Sequence, residues 1–370
     1  MREMQIDQVP NLHIFGRAGK IRCPLNLFWT GSGIEMNVRA GELWIETIAD
    51  YGLYEPWFCV LVDDVPVMRQ MALRGQHWVP ILRTAEGTEE LHNVKIIREV
   101  QAMHGDPQSF LQLNAVRTDG EFCPLSAKAG RIEFIGDSIT AGEGTVGTKG
   151  EMNWSSMVFS SVRTYAYQTA HMLHADFRIL AQSGWGILSD WEGDPACSLP
   201  RYYTKVCGVL CGEENRQRGA LTENDFASWQ PNVVVINLGT NDRGAFDQPP
   251  KFRDASGVLF DQKLCADGSM DKACVRRLQH AVVDFLYQLR QCNPGACLMW
   301  AYGMLGADLA DTLRQAIEAY RAKSGDSNVK FVLLPQATEE TIGSRGHPGS
   351  ENHRQAAEVL APKIIPYLNK

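Results

Sequence analysis

The sequence predicts two domains of different class. Residues 1–128 read as an all-β jelly roll or sandwich, and residues 129–370 as an α/β domain on a parallel sheet. Three observations carry this. Up to about residue 128, short apolar runs alternate with turn residues and helical periodicity is almost absent. From Gly130 on, strand-like runs alternate with long helical patterns, which calls for crossovers and therefore parallel strands. The chain has 370 residues, 44% hydrophobic and 21% charged, enough for two cores of ordinary globular composition.

In the first domain, residues 41–48 (GELWIETI) place apolar side chains at every second position, and Asp50, Tyr51 and Gly52 end the run. Residues 57–62 (WFCVLV) form a solid apolar run stopped by Asp63 and Asp64. Further strands are expected over 27–29, 34–38, 78–82, 92–97 and 109–114. Turn residues recur between them, at 30–33 (TGSG), 85–87 (AEG), 105–107 (GDP) and 119–120 (DG). Short strands at such spacing favour an all-β sandwich.

In the second domain, strands are expected over 132–135, 177–181, 233–238, 297–302 and 329–334, the VVVINL of 233–238 being the most strongly β of all. Helices are expected over 164–173, 271–291, 307–323 and 352–368. The second stops at Asn293-Pro-Gly295, the third at Ser324-Gly325, and the last is broken at Pro362. No repeat or low-complexity stretch interrupts the pattern.

The formal net charge of −7 gives no basis for binding nucleic acid or anionic lipid, and no apolar window approaches a membrane span. The start, MREMQIDQVPNLHIFGR, lacks an apolar core and a small-residue cleavage site, so a cytoplasmic protein is expected. Ten scattered cysteines form no CxxC pair. Cys207 and Cys211, four apart, have no further ligands nearby, so reduced thiols and no metal or cofactor are expected.

Four short segments each follow a predicted strand: Gly136-Asp-Ser138, Ser183-Gly-Trp-Gly186, Gly239-Thr-Asn-Asp242 and Gly346-His-Pro348. In a parallel sheet the carboxyl ends of the strands share one edge, so the four can converge there. Together, in this order, they resemble the four blocks of the SGNH (GDSL-type) hydrolase superfamily, and the likeness spans about 130–368. The preceding β domain, with Phe15-Gly-Arg17 and Trp29-Thr-Gly-Ser-Gly33, narrows the resemblance to carbohydrate esterase family 2. That resemblance implies a three-layer domain with a five-stranded parallel sheet. It also implies removal of acetyl groups from plant polysaccharides such as xylan and mannan.

By the same resemblance Ser138 is the nucleophile and His347 the base. The oxyanion hole comprises the Ser138 and Gly184 backbone N–H groups and the Asn241 side-chain amide, with Gly186 as a substitute for Gly184. A serine hydroxyl needs such a base, and the oxyanion needs fixed donors. Asp137 reads as a loop anchor and Asp242 as a turn cap. One position departs from the pattern. Superfamily members carry Asp three residues before the histidine, and here that residue is Ser344. A backbone carbonyl could hold His347 instead, giving a Ser–His dyad, or Glu339 or Glu340 could reach in.

Trp185 is the first choice as a platform for a sugar ring, with Trp191, Trp300 and Tyr302 behind it, and Arg243 could contact a sugar hydroxyl. The expected partner is an acetylated oligosaccharide, imported if the protein is cytoplasmic. A lipid or thioester hydrolase on the same fold and a non-catalytic glycan-binding protein are the rival readings. The sequence sets neither the sugar nor the oligomeric state.

Overall fold

The computed structural model describes residues 1–85 and 89–368. Its chain divides into two units. One comprises Met1–Lys128, Asn153–Val162 and Lys205–Asn224, and the other Ala129–Met152, Arg163–Thr204 and Asp225–Lys370.

In the first unit the strands are β1 (Arg2–Gln5), β2 (His13–Phe15), β3 (Leu25–Asn26), β4 (Gly33–Arg39), β5 (Glu42–Asp50), β6 (Trp57–Val62), β7 (Val65–Met71), β8 (Gly75–Arg83), β9 (Leu91–Arg98), β10 (Phe110–Thr118) and β11 (Glu121–Cys123). They form two antiparallel sheets, ordered β1-β10-β5-β8 with β3 also on β10, and β11-β4-β9-β6-β7 with β2 also on β4. The alternation read from the sequence buries one face of each. Ile45, Leu111 and Leu113 from the first sheet and Ile34, Val38 and Ile96 from the second share one apolar cluster.

Two expectations change here. Residues 27–29 are not a strand. The Trp29 carbonyl accepts the Ser32 N–H and the Trp29 indole donates to Val206 O at 2.7 Å, so the chain turns out of the ladder. Conversely, β7 has no counterpart among the expected strands, and it contains Pro66. As an edge strand pairing only with β6, it tolerates the missing N–H, which falls at a register shift. The turn expected at 85–87 lies largely outside the described residues.

The two downstream segments, which the sequence assigns to the second domain, complete the first unit. Arg69 donates to Met157 O and Phe159 O, Ser161 Oγ to Glu99, and Arg17 to Lys205 O at 2.8 Å.

The second unit runs β12 (Arg131–Gly136), α1 (Ser138–Ala141), α2 (Tyr165–Met172) and β13 (Asp176–Ala181). After the excursion that carries α3 (Glu213–Gln217) come β14 (Val233–Asn237), α4 (Thr240–Ala245), α5 (Lys272–Cys292), β15 (Cys297–Tyr302), α6 (Ala310–Ser324), β16 (Val329–Leu333) and α7 (Ser350–Leu368). All five strands are parallel, in the order β13-β12-β14-β15-β16. The connection from β12 goes to one side and the next returns to the other, so the switch point where such sheets bind ligands lies between β12 and β14.

α2 packs on α7, and α5 on α6. α5 starts where Asp271 accepts the N–H groups of Ala273 and Cys274, and it buries Leu278, Val282, Phe285 and Leu289. α7 is not broken at Pro362. Pro362, Pro366 and Glu358, whose carbonyl loses its partner at Pro362, all face solvent, while Leu360, Ile364 and Leu368 stay buried.

α7 also carries a fully buried histidine. His353 Nδ1 accepts the Tyr165 N–H at 3.0 Å and the ring stacks on Tyr165. Burial, then the nearby His347, hold it down to about 3. The folded protein keeps this ring neutral, whereas the unfolded chain protonates it below about pH 6.5. Its stabilisation is therefore complete above that pH and is lost as pH falls toward 3, by about 5 kcal/mol in all. Buried Asp137 titrates with the opposite sign, so the difference between variants is the measurable quantity. Thermal melts from pH 7.5 to 4.5 should show His353→Gln losing less stability than the parent. Parallel slopes would contradict this assignment.

Candidate active site

The candidate residues leave the sheet at one level. Gly136, the last residue of β12, pairs with Ala181 of β13 on one side and Asn237 of β14 on the other. Asp137 caps α1, its Oδ1 accepting the Ile139 N–H at 3.0 Å, and Ser138 is the first helical residue. A side chain at Gly136 would stand 2.0 Å from Thr140 Oγ1 and 2.9 Å from Asn237 O, so only glycine fits this turn.

Ser138 and His347 lie 209 residues apart and meet. Ser138 Oγ is 2.9 Å from His347 Nε2, and His347 Nδ1 is 3.0 Å from Arg345 O. A carbonyl can only accept, so Nδ1 carries the proton and Nε2 is left to receive the Ser138 hydroxyl. The departure at Ser344 is thereby resolved: a backbone carbonyl holds the imidazole. The Ser344 hydroxyl instead donates to Val146 O at 2.7 Å. Neither alternative carboxylate reaches the ring. Glu339 and Glu340 are both exposed, and Glu340 accepts the Thr338 hydroxyl at the surface.

The histidine loop is stitched to the segment after the serine. Ser344 N–H donates to Gly144 O, and Ser350 Oγ to Thr145 O at 2.7 Å. Buried Glu143 accepts from Arg345 Nε at 2.6 Å, and its other oxygen lies 3.9 Å from His347 Nε2. Sequence reasoning missed Glu143. The available signal was its place as the sole carboxylate within the glycine-punctuated AGEGTVGTKG that follows the serine.

On the neighbouring loop, Gly184 adopts a left-handed φ of +81°. Asn241 Nδ2 donates to Trp185 O at 2.9 Å, which leaves its second N–H. Asp242 does more than cap a turn. It is fully buried and accepts the Ile187 and Leu188 N–H groups at 2.8–3.0 Å, tying α4 to the loop that carries Gly184. A side chain at Gly186 would collide with Asp242 Oδ2 at 2.4 Å, so this glycine serves packing.

Trp185 is no platform. It is only 5% exposed and leans on Tyr202, and Trp300 and Tyr302 are also buried. The indole that reaches solvent is Trp191, 48% exposed. Its backbone N–H donates to Gly184 O, and its Cδ1 would stand 3.3 Å from a Cβ at Gly184. A tryptophan buried by its neighbours and one that they expose look alike in a sequence. The Arg243 guanidinium is engaged by Asp247 at 2.8 Å and Asp308 at 3.1 Å rather than left for a ligand.

Burial pushes the Asp137 carboxyl up to about 7 and that of Asp242 up to about 6, in the latter case against its backbone hydrogen bonds. Asp137 therefore takes up a proton more readily than an ordinary carboxylate, which fits its place as a buried loop anchor. Among the described residues no group of three or more His, Cys, Asp or Glu side chains could hold a metal ion.

The profile of the GDSL-like lipase/acylhydrolase family matches residues 134–355. The chain belongs to the GDSL-like lipase/acylhydrolase family. Within it, the chain is similar over its whole length to the solved structure of an acetyl xylan esterase, Est2A, from the rumen bacterium Butyrivibrio proteoclasticus. The two share 38% identity and a TM-score of 0.96, over 99% of this chain and 98% of that one. The cellulase/esterase CelE of Acetivibrio thermocellus is 30% identical across 91% of this chain, which spans only 37% of that protein's length. A family two carbohydrate esterase from Clostridium thermocellum, solved with cellohexaose, has the same fold. Its TM-score is 0.77 at 24% identity, over 96% of this chain and 99% of that one.

Proposed function

We propose that this member of the GDSL-like family is a serine esterase that removes O-acetyl groups from plant-derived oligosaccharides through an acyl-enzyme. The observation that carries the reading is the Ser138–His347 pair, with Nδ1 already committed to Arg345 O and Nε2 facing the hydroxyl. Ser138 Oγ attacks the acetyl carbonyl as its proton passes to Nε2. The tetrahedral oxyanion is received by the Ser138 and Gly184 N–H groups and the free N–H of Asn241. The C–O bond to the sugar then breaks, and the leaving oxygen takes the proton from Nε2. Water, deprotonated by the same nitrogen, attacks the acetyl-serine and releases acetate and the serine hydroxyl.

The carbohydrate assignment is supported by the names of the relatives, an acetyl xylan esterase and a cellulase/esterase, and by the cellohexaose complex of a chain with the same fold. Xylan, mannan and glucan fragments are all candidate substrates. An NMR time course on acetylated xylo-, manno- and gluco-oligosaccharides tests this. Acetate should appear, with one acetyl signal lost first. Hydrolysis of long-chain esters in preference to acetates would overturn it.

Trp191 is the sugar platform in this reading, an exposed indole on the loop that carries Gly184. Trp191→Ala should raise KM for the oligosaccharides about tenfold, the loss of about 1.4 kcal/mol of stacking. Turnover of nitrophenyl acetate, which has no sugar ring, should stay within about twofold. An equal effect on both substrates would assign Trp191 to the loop's structure instead.

The reading extends to a cytoplasmic enzyme acting on imported oligosaccharides. It is supported by ten free thiols. Recovery of the native protein from the medium or the cell surface would reject this extension.

A further inference from the structure

We infer that Glu143 is the positioning residue that stands in for the carboxylate missing at Ser344, acting on His347 from the opposite side of the ring and through Arg345. This rests on the esterase reading. The observations are geometric. Arg345 is a non-glycine residue with φ +57° and ψ +22°, a left-handed conformation that L-residues adopt at a cost of about 1 kcal/mol. That turn aims the Arg345 carbonyl at Nδ1, 3.0 Å away.

Three contacts hold Arg345 there. Its N–H donates to Glu151 O at 2.7 Å, its Nη1 to Met152 O at 2.7 Å, and its Nε to Glu143 Oε1 at 2.6 Å. Glu143 is itself fixed, because its own N–H donates to Ser138 O at 3.0 Å. One carboxylate therefore joins the residue after the nucleophile's helix to the residue that orients the base.

The second oxygen of Glu143 has a different role. At 3.9 Å from Nε2, in a buried setting, it faces the nitrogen that takes up the serine proton. Negative charge there favours the imidazolium formed in the transition state. An aspartate three residues before the histidine would exert the same influence from the Nδ1 side. Here the carbonyl supplies the orientation and Glu143 the charge, partly balanced by Arg345. The other ionisable groups that face this cluster are Asp137 and, beyond it, Asp242 and Tyr165 toward Glu143, and His353 toward His347.

The test compares Glu143→Gln, which keeps size and one acceptor but removes charge, with Arg345→Met, which removes the cation bonded to Glu143 through Nε. Steady-state kinetics on an acetylated oligosaccharide are paired with a direct NMR titration of the His347 ring. Glu143→Gln should lower kcat about 10- to 100-fold with KM within about twofold, and move the ring titration and the acid limb down by about 0.5–1 pH unit. Arg345→Met should move them up. A purely structural Glu143 would move neither, and unshifted or same-direction titrations would overturn the inference. Should one variant fail to fold, the sign of the other's shift decides. The ring titration is read without turnover, so a parent enzyme that released no acetate would sink the esterase reading and leave this test standing.

Discussion

Ser138→Ala lowers kcat for acetyl release by about 10⁴-fold or more and leaves the fold and oligosaccharide binding in place. The hydroxyl it removes lies 2.9 Å from Nε2 and is the one that forms the acyl-enzyme in the proposed mechanism. The methyl that remains fits the same buried site. His347→Ala should cost nearly as much, and the double variant little more than either single one, because the two side chains act as one unit. Acetate release by NMR, with binding of the unreacted sugar measured by calorimetry, checks both parts. Turnover of the serine variant within tenfold of the parent would mean that another nucleophile does the work.

Gly144→Ala has the largest expected effect outside the Ser138–His347 pair, although Gly144 bears no functional group. Its φ is +82°, and an added Cβ would stand 2.5 Å from His347 Cβ and 2.6 Å from the backbone oxygen of Ser344. The left-handed strain and the overlap together should cost about 2–4 kcal/mol of stability. Relief of the overlap moves the histidine loop away from Ser138. A shift of about 1 Å there should lower kcat about 10²-fold. Gly150→Ala is the control on the same segment, since nothing lies within 4 Å of its added Cβ, and it should change neither quantity measurably. Thermal melts and kcat on an acetylated oligosaccharide read both. Equal behaviour of the two variants would contradict the close packing of the two loops.

How much of this was legible in the sequence depends on where the deciding contact lies. The parallel strands were readable because burial on both faces makes them continuous apolar runs, as in Val233–Asn237. α5 was readable because its cap, Asp271, and its apolar stripe are both local. The first three glycine-punctuated blocks were readable because each sits just past a strand, and strand register brings Gly136, Ala181 and Asn237 to one level.

What stayed hidden depends on contacts far along the chain. Glu143 and Arg345 are 202 residues apart, and no spacing connects them. The buried state of Trp185 and the exposed state of Trp191 are set by Tyr202 and by the turn at Gly184, not by the neighbours of either tryptophan. The segments 153–162 and 205–224 carry the grammar of the second domain's chain but join the first unit through Arg69, Trp29 and Arg17. Pro362 misdirected the reading of α7, and Pro66 is tolerated in β7 for the same physical reason. A proline breaks a strand or a helix only where the lost hydrogen bond would be missed, and both lie where solvent or an edge forgives it.

The most direct test of a Ser138–His347 esterase is rapid quenching of the enzyme with an excess of acetylated oligosaccharide, followed by intact-mass and peptide mass measurement. The expected result is a transient mass gain of one acetyl group, located on the peptide that contains Ser138 and absent in Ser138→Ala. Release of acetate at full rate with no acetylated enzyme, or with the acetyl group on another residue, would contradict it.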